Sequence, residues 1–195
     1  MIRICAVAAA LALLAACQAT GVVNGTTVEP KAVALAPAPG PYNFDCEAPG
    51  QQYVQFLARA PSGRVTVKGY LHFERTHWNS EWDPFASIAL RDANSTPVVT
   101  LQAQVQAQVT GDFKKIGIYT HVPASGQPKQ LVAWTPLTYR DIPFSITMNA
   151  DGTILTAAGA SGITVSPAAF SATSIQLACL TAHVTFRDVT VTAAQ

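Results

Sequence analysis

Within residues 72–83 the chain gathers His72, Glu74, His77, Trp78, Glu81, Trp82 and Asp83, its densest collection of groups able to titrate, accept hydrogen bonds or stack. Indole faces stack on the apolar faces of sugar rings, and carboxylates accept sugar hydroxyls, so this mixture is that of a glycan site. A plainer account uses the same residues. Trp78 and Trp82 would fold a long loop onto the edge of the domain, while His72 and Glu74 join Lys68 and Tyr70 on a solvated strand face.

A second candidate is the row Gln102, Gln104, Gln106 and Gln108, four amides at every other position. On a strand they share one face, where they could hydrogen-bond a polysaccharide or serve as an uncharged solvated surface. Other chemistries find little support. His72, His121 and His183 are scattered, without the spacing of a metal site, so no cofactor is expected; calcium held by backbone carbonyls would leave no trace in a sequence. No G-x-S-x-G elbow, phosphate-cradling glycine loop or dinucleotide fingerprint is present. With 12 Lys and Arg against 11 Asp and Glu, the net charge is +1, and no basic cluster exists to neutralise phosphates. Nucleic acid is therefore not an expected partner.

The elements that must position these residues are strands. From 98 to 110, Val99, Leu101, Ala103, Val105, Ala107 and Val109 alternate with Thr100, the four glutamines and Thr110. Ala, Gln and Leu favour helices, but a helix would spread these apolar residues around its circumference, so period two prevails. Shorter alternations recur at Val65, Val67, Leu71 and Phe73, at Ile88 and Leu90, at Ile116 and Ile118, and at Phe144, Ile146 and Met148. Turn signals separate them at 61–63, 92–94, 111–112, 125–128, 151–152 and 159–162, and no helical period follows residue 40. About ten short strands with alternating faces predict an all-β, two-sheet antiparallel sandwich or jelly roll, with a closed β-barrel as the alternative.

The N-terminus places one positive charge, Arg3, before a short apolar stretch that ends in Leu14-Ala15-Ala16-Cys17. That is a secretory signal too short to span a bilayer. Its end resembles the lipobox of bacterial lipoproteins, which implies removal of residues 1–16, acylation of Cys17 and stable membrane anchoring through several acyl chains. Gln18, where a sorting rule would look for Asp, implies transfer to the outer membrane. Residues 17–40, rich in Ala, Gly, Thr and Pro, read as the lipidated cysteine and a tether spanning roughly 25 to 30 Å, leaving 41–195 as the domain. Cys5 departs with the signal and Cys17 is acylated, so Cys46 and Cys179 remain to pair in an oxidising compartment.

Two stretches sharpen the fold. One is Phe144-Ser145-Ile146-Thr147-Met148 running through Asp151-Gly152 to Ile154-Leu155; the other is the ending Val184-Thr185-Phe186-Arg187-Asp188-Val189. Together they resemble concanavalin A-like, laminin-G-like sandwiches, which implies a hairpin at the first and a closing strand beside strand one at the second. That superfamily includes glycosidases with carboxylates on alternate residues of one strand. Glu81-Trp82-Asp83 begins such a pattern, but Pro84 and Phe85 follow and the third carboxylate is missing. Three functional readings result: a non-catalytic glycan-binding module on a lipid anchor, an interaction or scaffold lipoprotein of the cell envelope with a protein partner, and, last, a glycosidase.

Overall fold

The structure, a computed structural model, describes residues 40–49, 52–77, 83–106, 115–123, 126–137, 140–166 and 171–193. The lipobox, Cys17 and the tether lie outside them, as do Trp78, Glu81, Trp82 and Gln108.

Twelve strands form: β1 (Tyr42–Glu47), β2 (Tyr53–Gly63), β3 (Val65–Thr76), β4 (Phe85–Arg91), β5 (Pro97–Gln106), β6 (Lys115–His121), β7 (Gln130–Pro136), β8 (Ile142–Met148), β9 (Ile154–Ala158), β10 (Ser161–Val165), β11 (Ala172–Leu180) and β12 (Ala182–Ala193). They make two six-stranded antiparallel sheets, in the orders β1-β12-β3-β8-β9-β10 and β2-β11-β4-β5-β6-β7. This is a jelly-roll sandwich and not a closed barrel.

The alternation drives the layering. On β3, Val65, Val67, Leu71 and Phe73 are buried while Lys68, Tyr70 and Glu74 are exposed. On β5, Val99, Leu101, Ala103 and Val105 are buried, with the glutamines between them turned outward. Burying a Phe or Leu side chain stabilises by about 1.5 to 3 kcal/mol, so a one-residue slip of either strand would expose its whole apolar set. At one margin of the core Phe44 of β1 stacks with Phe186 of β12 at 6.0 Å and with Phe56 of β2 at 5.4 Å, joining the two sheets through rings.

Cys46 and Cys179 form the disulfide, 133 residues apart in sequence, with Cα atoms 6.0 Å apart and both side chains fully buried. Because β1 and β11 belong to opposite sheets, the bond clamps the sandwich across its core. The hairpin expected after β8 is present: Asp151 accepts hydrogen bonds from the Thr153 hydroxyl and amide at 2.7 and 2.9 Å, which hold its carboxyl below the ordinary aspartate range. Gly152 takes φ 83°, a conformation glycine adopts without penalty. β12 closes the sheet beside β1, Phe44 facing Phe186, as the resemblance implied.

Three details differ from the sequence reading. Pro61 and Gly63 belong to the end of β2, the turn falling at Arg64, and Ser161 and Gly162 already belong to β10. β7 was not expected: as an edge strand it buries no residue fully and exposes the apolar Leu131 and Trp134, so no apolar-in, polar-out alternation marks it.

Candidate functional site

The connection from β3 to β4 crosses from one sheet to the other, and this separates the residues of the 72–83 segment. His72 and Glu74 lie on the outer face of the β3 sheet, whereas Asp83 stands beside Gln104 on the outer face of the opposite one. His77 sits between, its amide donating to the Thr181 carbonyl at 2.8 Å, and its Nε2 is buried without a partner among the described residues.

On the β3 face, His72 and Glu74 enter a network with β12. Arg187 donates to Glu74 Oε1 at 3.1 Å and to Asp141 Oδ1 at 3.3 Å, and His72 Nδ1 lies 3.0 Å from the same Asp141 oxygen. Thr185 donates to Glu74 at 3.2 Å. Farther along, Arg75 pairs with Glu47 at 3.0 Å and His183 with Asp45 at 2.6 Å. Opposite charges compensate one another here. Among the described residues, no group of three His, Cys, Asp or Glu is placed to hold a metal ion.

The opposite face is of another kind. The β4-β5-β6-β7 register lines up Phe85, Gln104, Gly117 and Trp134 in one row, and Ser87, Gln102, Tyr119 and Leu131 in the next. Each described glutamine of β5 is fixed at one end of its amide. Gln104 donates to Asp83 Oδ2 at 2.8 Å, Gln106 donates to the Tyr119 hydroxyl at 2.9 Å, and Gln102 accepts from Lys129 Nζ at 2.7 Å. Each of these bonds restricts the rotamers of its glutamine, so a further hydrogen bond from the other end of the amide would cost less side-chain entropy.

Gly117 shapes this surface. A Cβ there would lie 2.6 Å from the Tyr119 ring, which therefore covers the strand where the side chain is missing. From that position Tyr119 meets Trp134 edge-to-face, with ring centroids 6.2 Å apart. Trp134 remains 49% exposed, the most exposed of the large hydrophobic residues among those described. At the far margin Gln176 donates to the Tyr53 hydroxyl at 2.8 Å and to Gln55, and burial pushes the Tyr53 phenol up, the Arg91 charge opposing in part.

Sequence reasoning weighed the glutamine row but missed Tyr119 and Trp134. Their partner rows depend on register across three strands, and only Gly117 two residues before Tyr119 hinted at a ring lying over a bare strand.

No protein-family model matches the chain, and no curated protein matches it in sequence. In three dimensions it is similar to an alginate lyase of Pseudomonas aeruginosa, with 14% identity and a TM-score of 0.52, over 68% of this chain and 65% of that one. The chain thus spans somewhat less than two thirds of that lyase. It is similar also to an alginate lyase of an Alteromonas species, with 9% identity, a TM-score of 0.52 and 71% and 77% of the two chains covered. A polysaccharide lyase of family 18 matches with 8% identity, a TM-score of 0.52 and 71% and 78% covered. At these identities the shared feature is the fold, a two-sheet antiparallel jelly-roll sandwich.

Proposed function

We propose that this protein is a glycan-binding module, and that its binding surface is the outer face built by β4 to β7. One observation carries the reading: Gln102, Gln104 and Gln106 stand in a row, each amide anchored at one end, beside the exposed Trp134 and the Tyr119 ring. Fixed neutral amides match the hydroxyls of a polysaccharide, and an exposed indole gives a sugar ring a face to stack on. That the similar structures include enzymes acting on polysaccharides is consistent with this use of the fold. Asp83 belongs to this surface through Gln104; Trp78 and Trp82, a few residues earlier in the chain, are proposed to extend it.

The proposal includes attachment. Lipid on Cys17 would hold the domain at the bacterial outer membrane, with residues 18–40 as the tether. Replacing Cys17 by Ala should then leave an uncut precursor that no longer partitions into detergent.

Binding is tested by titrating the protein with peptidoglycan fragments, outer-membrane polysaccharide and alginate oligomers, beside Trp134→Ala and a Trp78→Ala, Trp82→Ala double variant. One stacked ring is worth on the order of 1 kcal/mol, so Trp134→Ala should weaken binding several-fold without unfolding the domain. Equal binding by wild type and Trp134→Ala removes the surface from consideration, and release of shortened chains during the titration would reassign the module as an enzyme.

A further inference from the structure

The face opposite the glutamine row carries an open depression of about 510 Å³, lined by Lys68, Tyr70, Pro143, Ser145, Ala157, Gly159, Asp188 and Thr190 together with Gly69 and Phe144. We propose that this depression is a second ligand site, taking a single neutral hexopyranose ring such as the end of a glycan chain. The proposal stands apart from the glutamine face.

The depression originates in a β-bulge. On β12, Arg187 faces Tyr70 and Thr190 faces Lys68, so two residues of β12, Asp188 and Val189, oppose the single Gly69 of β3. The chain absorbs the extra residue at Asp188, which takes φ 50° and whose amide is held by Asn43 Oδ1 at 2.9 Å. Bulges re-aim side chains: Val189 returns to the core while Asp188 turns out into the depression. Gly69 permits the close approach, since a Cβ there would lie 3.0 Å from the Arg187 carbonyl oxygen and from a Val189 methyl. A non-glycine residue held in the left-handed region is strained, and such positions gather at ligand sites.

The lining provides what a sugar ring needs. Tyr70 is 43% exposed and offers a ring face, with Pro143 directly opposite it in register. Among the described residues, the Asp188 carboxylate, the Lys68 ammonium and the Tyr70 hydroxyl have no hydrogen-bond or ion-pair partner. This sets them apart from the neighbouring Arg187, Glu74 and Asp141, which satisfy one another. The carboxylate accepts a pair of vicinal hydroxyls, the ammonium donates to a third oxygen, and Ser145 and Thr190 add hydroxyls at the wall. One positive and one negative free charge cancel, which favours a neutral sugar. The floor beyond is made of Ala157 and Gly159, leaving space for the ring. The volume lies within the range of small-ligand sites, about 300 to 1,000 Å³.

The test is amide NMR on the full-length chain titrated in turn with the methyl glycosides of glucose, galactose, mannose and N-acetylglucosamine. Saturable shifts are expected at Gly69, Tyr70, Gly159 and Asp188 with at least one sugar. Both Tyr70→Ala and Asp188→Asn should weaken that binding about fivefold, asparagine being among the residues that best tolerate the left-handed backbone. Silence at these amides with all four sugars overturns the site, and so does unchanged affinity in either variant. The amides of Gln104, Gly117 and Trp134 report the other face, so failure there and failure here are read separately.

Discussion

The two outer faces of the sandwich are built on strands with the same period, yet they solve the problem of a polar surface differently. The β1-β12-β3 region is held by charge: every close ion pair among the described residues, from Asp45–His183 to Arg187–Asp141, lies on it. The β4 to β7 face is held by single hydrogen bonds of its glutamine amides to one carboxylate, one ammonium and one phenol, and it leaves Trp134 exposed. Salt screens the exposed ion pairs of the first arrangement more than the single hydrogen bonds of the second. The bulge at Asp188 is where the charged face departs from its own rule, with two charges left unpaired.

The largest effect is expected where the faces are tied together. A Cys46→Ala, Cys179→Ala double variant frees a loop of 133 residues and should lose about 5 kcal/mol in denaturant unfolding. If the loss is under about 1 kcal/mol, packing between the sheets suffices and the clamp is dispensable.

Gly117→Val should break the glutamine face alone. The added methyls occupy the space under the Tyr119 ring, the ring swings away from Trp134, and glycan binding should fall more than about tenfold while the Arg187 network stays intact. Retained binding would mean that Tyr119 and Trp134 act independently of each other.

Arg187→Gln tests the charged face. Both carboxylates lose their common partner at a half-exposed site, where such pairs contribute about 1 kcal/mol or less. The variant should unfold slightly earlier, show a weaker dependence of stability on salt, and bind polysaccharide on the other face as the wild type does.

The smallest effect is alkaline. Burial raises the folded-state pKa of Tyr53 above its ordinary value of 10.0, so the unfolded chain ionises first. Stability is fully present below pH 10 and falls as pH rises through the folded value, because the native state then holds the extra proton. A Tyr53→Phe variant should show a flatter melting-temperature profile over that range, at the expense of the Gln176 hydrogen bond.

Much of the fold was legible because alternation leaves few choices. Val99 to Val105 on β5 and Val65 to Phe73 on β3 could bury their apolar sets only as strands with one face inward, and Asp151-Gly152 could only turn. Edge strand β7 was not legible, since a strand with one open side needs no strict pattern. The candidate site was legible in part. His72, Glu74 and Asp83 are near neighbours in sequence, but the chain passes from one sheet to the other between them, and proximity along a crossover says nothing about a shared face.

By itself, then, the sequence determined the class of fold and the outward row of glutamines, because period two is a local fact, whereas it pointed to Cys46 with Cys179 only through the lipobox reading of the other two cysteines, and the structure shows that bond directly. Only the tertiary structure decided that Gln104, Gly117 and Trp134 form one row, that Tyr119 lies over Gly117, and that a bulge turns Asp188 outward beside Tyr70. These depend on register between strands far apart in the chain, and register is set by the packing of the whole core.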